Sequence, residues 1–175
     1  MRARFSPSRG RPPEPCEIPP NGLLQCVVQP ITLIVTALSL AVYFAAVWRG
    51  GGPERAGAAI LFAAFLVDEI YHMAAGPHQF ESFDPVELSI DLVSLAAFAA
   101  LALRANRLWP ILTAALQLMA VIGHIAAFSG AGMQRAYWAM TEPPVLLGVM
   151  ALLGGLVTHL LRGRRLGPYP DWRPS

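Results

Sequence analysis

Five runs of apolar residues recur along this chain, each about as long as the stretch of helix that crosses a hydrocarbon core, at roughly 20 residues. They cover about residues 31–48, 56–75, 86–103, 111–128 and 143–161, and short connections rich in Arg, Gly and Pro separate them. An amphipathic soluble bundle would place polar residues on every second turn, and these runs do not. With 55% hydrophobic residues, 14% charged and a mean hydropathy of +0.49, the chain is too apolar for an ordinary soluble domain of its size. The expected fold is all-α: an integral membrane bundle of five transmembrane helices, or four if the first run is lost or peripheral.

Residues 1–22 carry Arg2, Arg4, Arg9 and Arg11 among many prolines with no apolar period. They read either as a disordered tail or as the product of a start codon placed too far upstream. The membrane domain then occupies 23–162, and 163–175 forms a cytoplasmic tail whose Tyr169 and Trp172 suit a membrane surface. Gly76 to Pro85 makes an acidic connection with a solvated His78, and Ser129 to Glu142 a polar one that ends where Pro143-Pro144 opens the fifth helix. His159, beside Arg162, is expected at the headgroups. Cys16 and Cys26 are too few to build a disulfide framework or a metal site unaided.

All thirteen basic side chains are Arg. They sit at the ends of the apolar runs and not on one face, which argues against nucleic-acid binding. With the N-terminus outside, Arg49, Arg55, Arg104, Arg107, Arg162, Arg164, Arg165 and Arg173 face the cytoplasm, as the positive-inside rule asks of a bacterial inner-membrane protein, and only Arg135 and the four arginines of the N-terminal tail oppose this. The lipid bilayer is the first expected partner. Gly148, Gly154 and Gly155, with Ala151 between them, give the fifth helix a small-residue surface for close approach, within the bundle, to a membrane-protein partner or in a homo-oligomer.

The second run is interrupted by Asp68-Glu69-Ile70-Tyr71-His72. On a helix Asp68 and His72 lie within about 40° of each other and Glu69 about 60° from His72, so the three share a face. An acid at the centre of a bilayer helix costs roughly 2.5–3.5 kcal/mol, and each Leu, Ile, Phe or Val returns only about 0.3–0.6. The acids must therefore lie off-centre, face protein or water, be protonated, or be paired. Glu87 and Asp91 are one turn apart on the third helix, with Ser94 and Phe98 continuing their stripe; Thr113, Gln117 and His124 align within about 40° on the fourth. Helices two, three and four thus carry polar groups at one depth.

Three readings of Asp68, Glu69, His72, Glu87, Asp91, Gln117 and His124 follow. In the first they tie helices together, for example through His72 with Asp91 or His124 with Asp68. The second is a divalent-metal site in which Glu69-x-x-His72 supplies a carboxylate and an imidazole and Asp91 and His124 complete the set; a dinuclear carboxylate bundle normally has two Glu-x-x-His pairs, and this chain has one. The third is a proton relay or a polar pocket for a small substrate. No phosphate loop, nucleotide fingerprint, nucleophile elbow or zinc-protease motif is present, so catalysis has no positive support in the sequence.

Arg104-Ala105-Asn106-Arg107-Leu108-Trp109-Pro110 with Gln117 and His124, together with Gly51-Gly52-Pro53-Glu54-Arg55 and Asp68-x-x-Tyr71-His72, resembles a group of small multi-pass membrane proteins of alphaproteobacteria. The likeness covers about residues 31–150. It implies a membrane location and brings no assigned activity.

Overall fold

The structure, a computed structural model of the full chain, describes residues 22–75, 84–128, 134–167 and 170–172. Every regular element among them is a helix: α1 (Gly22–Arg49), α2 (Gly52–Ala75), α3 (Pro85–Arg104), α4 (Trp109–Phe128) and α5 (Gln134–Leu166). Each contains a stretch long and apolar enough to cross a membrane, namely Pro30–Arg49, Gly52–Ala74, Pro85–Arg104, Trp109–Phe128 and Ala139–Arg165. The all-α architecture with five such spans is thus what the chain forms. The N-terminal tail with Cys16 and the connection holding His78 lie outside the described residues.

Two boundaries differ from expectation at α5. The helix begins at Gln134 and runs through Pro143 and Pro144, which were expected to open it. Those prolines withhold the donors that would reach the carbonyls of Ala139 and Met140. Inside lipid a continuous helix with two lost bonds still leaves fewer unsatisfied backbone groups than an unwound segment would. At its far end α5 continues past Arg162 and Gly163 to Leu166. Elsewhere local chemistry sets the ends. Asp84 caps α3 by accepting from the Val86 amide at 2.8 Å, Pro85 fills a first-turn position that has no bond to lose, and Glu87 follows in the first turn.

The chain divides into two compact units, Met1–Leu38 and Ser39–Ser175. The described part of the first is α1 from Gly22 to Leu38. In the second, α4 packs on α3 and α5, and α2 packs on α3 and α5, which closes a ring of four helices. The last turns of α1 join it through Tyr43 and Ala46, with the Tyr43 ring 6.2 Å from that of Phe62. Large apolar residues face outward all round the ring, among them Met73, Val93, Leu103 and Met150. A water-soluble domain does not present such a surface, and helices in lipid do.

The apolar core of this unit is gathered near one end, where α2 and α4 begin and α3 and α5 finish. Leu61, Phe98, Leu101, Leu152 and Leu156 are buried there around Trp109. The Trp109 ring meets Phe98 edge-on at 6.3 Å. Glycines make room for it: a β-carbon at Gly57 would overlap the indole from α2, and one at Gly155 would overlap it from α5. The small residues of α5 therefore divide by role. Gly155 receives Trp109, Gly148 lies against Thr113 and Leu61, and Gly154 has open space beyond it.

Gly155→Ala is expected to lower stability in detergent by about 1–3 kcal/mol through overpacking. Gly154→Ala should leave stability unchanged or raise it by up to about 1 kcal/mol through helix propensity. Thermal unfolding of the two variants side by side checks this, and equal shifts would contradict the wedge.

Candidate functional site

Polar side chains collect at both ends of the four-helix ring. At the end where α2 and α4 begin, here the tail end, two carboxylates share one guanidinium. Arg107 donates from Nε to Glu54 Oε1 at 3.3 Å and from Nη2 to Asp171 Oδ1 at 2.8 Å. The Glu54 and Arg107 side chains are 0% and 4% exposed. Glu54 Oε1 also accepts from Trp109 Nε1 at 3.3 Å, so the residue that fills the core also anchors the charge above it.

The C-terminal segment folds back to complete this network. Asp171 Oδ2 accepts from the Gly52 amide at 3.0 Å and so serves as a cap for α2 supplied from far along the chain. The Asp171 carbonyl accepts from the Asn106 amide at 3.2 Å, and Trp172 forms an antiparallel bridge with Ala105. The approach is close enough that a β-carbon on Gly51 would strike the Asp171 carboxylate and one on Gly52 the Trp172 indole. His159 Nδ1 lies 3.3 Å from Arg107 Nη2. Arginine can only donate, so Nδ1 accepts and the ring proton sits on Nε2.

These positions add to three expectations. The tail, expected as a surface segment, packs on the bundle end through Asp171, while Trp172 stays partly exposed. His159 joins the same network at 22% exposure. Arg107, one of the arginines assigned to the cytoplasmic side, is buried and paired with two carboxylates.

The opposite end, where α2 finishes and α3 starts, holds the residues singled out in the sequence. His124 is 2% exposed and its Nε2 lies 3.1 Å from Asp91 Oδ2, joining α4 to α3. His72 Nε2 is 3.4 Å from Asp68 Oδ1 on its own helix and 3.8 Å from Glu87 Oε1 on α3. Asp68 is also within Coulombic reach of Glu69 and Asp91. A short bond from the Tyr71 hydroxyl to Asp84 Oδ2, 2.7 Å, fastens the cap of α3 to α2. Asp68, His72, Glu87, Asp91 and His124 are therefore brought together, with His124 paired to Asp91 where the sequence offered Asp68.

The depth of these groups follows from the helical rise. At about 1.5 Å per residue, Asp68, His72, Glu87, Asp91 and His124 lie within about 3–10 Å of their helix ends, where a polar or charged group costs less than at the bilayer centre. The Asp68 and His72 side chains are about two-fifths exposed, whereas His124 and Asp91 sit deeper. Glu69 is exposed, apart from the pairs that tie the helices. Among the described residues no three His, Cys, Asp or Glu side chains are placed to hold one metal ion.

The stripes read from periodicity continue inward as expected. Ser94 and Phe98 on α3 are buried, as are Thr113, Gln117 and His124 on α4. Thr113 returns its hydroxyl to the Trp109 carbonyl at 3.1 Å. Two buried oxygens among the described residues have no hydrogen-bond partner, Glu54 Oε2 at the tail end and Gln117 Oε1 at mid-depth. Each such group costs roughly 1–3 kcal/mol unless water or a proton satisfies it.

Arg107→Leu should cost about 3–5 kcal/mol, because it leaves Glu54 and Asp171 without their counter-charge. The double variant Glu54→Leu/Arg107→Leu is expected to lose clearly less than the two single losses added together, as a double-mutant cycle on unfolding would read. Additive losses would show that the two side chains act independently. No family model, no curated protein and no solved structure matches this chain.

Proposed function

We propose that the chain is a non-enzymatic multi-pass component of a bacterial inner membrane, with its N-terminus outside and its C-terminus in the cytoplasm. Its Asp–His–Glu cluster serves to tie α2, α3 and α4 together. The observation that carries this reading is the buried His124–Asp91 pair, which satisfies two costly groups against each other across a helix–helix contact. Orientation rests on charge. Arg49, Arg55, Arg104, Arg162, Arg164 and Arg165 belong to the tail end, whereas Asp68, Asp84, Glu87 and Asp91 lie toward the other. The positive-inside rule puts the tail end in the cytoplasm.

A second reading, proton handling at the outer end, is favoured by His72. Its imidazole is partly exposed and has two carboxylates within 4 Å, an arrangement in which a proton taken from water can be held and passed on. The deeper His124–Asp91 pair is the natural next station.

His124→Gln and His72→Gln separate the two. A tie between helices predicts that His124→Gln lowers thermal stability in detergent by about 1–3 kcal/mol, and that the more exposed His72→Gln costs less than about 1 kcal/mol. Proton handling predicts that the imidazole NMR signals of both histidines move with pH across the neutral range. Unchanged stability in both variants would remove the structural reading, and static signals from about pH 5 to 8 would remove the other.

A further inference from the structure

We propose that the outer end of the four-helix ring is a hydrated, cation-attracting vestibule that reaches as far as Gln117 and stops there on the apolar core. The observation that requires it is the Gln117 side chain, which is 6% exposed and whose Oε1 has no partner. An amide oxygen left bare at mid-depth in a membrane bundle calls for a donor, and a bound water is the smallest one that fits.

A line of polar groups leads to it from the outer end. Gln117 shares the α4 face of His124, one helical rise of seven residues away, or about 10 Å. Ser94, buried on α3 one turn from Asp91, lies between them in depth. From Asp91 the polar groups continue to Glu87, Asp68 and the partly exposed His72. Asp68, Glu87 and Asp91 set three carboxylates around two imidazoles, so water entering here carries a field that draws cations, protons among them, and repels anions.

The vestibule is closed toward the tail. Below Gln117 come Leu61, Phe98 and Leu152, packed around Trp109, and the polar atoms on this α4 face are already bonded, the Thr113 hydroxyl to a carbonyl and the Trp109 indole N–H to Glu54. Among the described residues the arrangement thus gives one-sided access. This holds whether or not either histidine exchanges protons, so it stands apart from the readings above.

Cysteine accessibility in lipid nanodiscs tests it directly. In a background carrying Cys16→Ser and Cys26→Ser, a small cationic methanethiosulfonate should modify Gln117→Cys and Ser94→Cys at rates close to that of His72→Cys and far faster than Leu152→Cys. It should also outpace an anionic reagent at position 117 by about tenfold, and Asp91→Asn should shrink that preference. Thermal unfolding confirms that each variant keeps its fold. Modification of His72→Cys with Gln117→Cys and Ser94→Cys as slow as Leu152→Cys would overturn the vestibule. Equal rates for the two reagents would overturn its selectivity for cations.

Discussion

A buried charge has one low-energy resolution, a counter-charge within hydrogen-bond reach, and Arg107 is where this chain depends on it most. One guanidinium, almost wholly buried, holds Glu54 from α2 and Asp171 from the C-terminal segment. Through Asp171 it also fixes the first amide of α2, and through Glu54 it orients the indole that fills the core. Four separate parts of the chain meet in that network: the start of α2, the α3–α4 connection, α5 and the tail. Helices in lipid gain little from burying apolar surface against one another, so polar ties of this kind and close packing at glycine decide which helix sits beside which.

The two ends of the ring solve the same problem differently. At the tail end Glu54 and Arg107 are enclosed, with Asp171 and His159 partly exposed above them, and Trp109, Phe98 and Leu152 pack directly beneath. At the other end the acids and imidazoles are graded, from the partly exposed Asp68 and His72 to the enclosed His124. An enclosed network specifies and holds a structure, whereas a graded one also keeps contact with solvent. The second cluster therefore ties α2, α3 and α4 through the enclosed His124–Asp91 pair while Asp68 and His72 stay partly open to solvent.

The sequence displayed the second cluster and concealed the first. A period of 3.6 places Glu87, Asp91 and Ser94 on one stripe and Thr113, Gln117 and His124 on another, and local period is all that is needed to see them. Asp171 lies 64 residues from Arg107 and 119 from Gly52, in a proline-flanked segment with no period to read. Two signals pointed toward it. Glu54 is an acid within an otherwise basic turn, and three successive glycines, Gly50 to Gly52, leave space for something to approach. The start of α5 was hidden for another reason: Pro143-Pro144 has the local signature of a helix start, but within lipid the requirement for backbone hydrogen bonds carries the helix through.

The account rests on lipid being the solvent around these helices, with polar groups turned away from it. Spin labels on Val93→Cys, Leu118→Cys and Met150→Cys, three exposed apolar positions on α3, α4 and α5, test this in a bilayer. Frequent collisions with dissolved oxygen and few with a water-soluble nickel chelate are the expected result at all three. Ready collision with the chelate would mean that these faces meet water, and the account would fail.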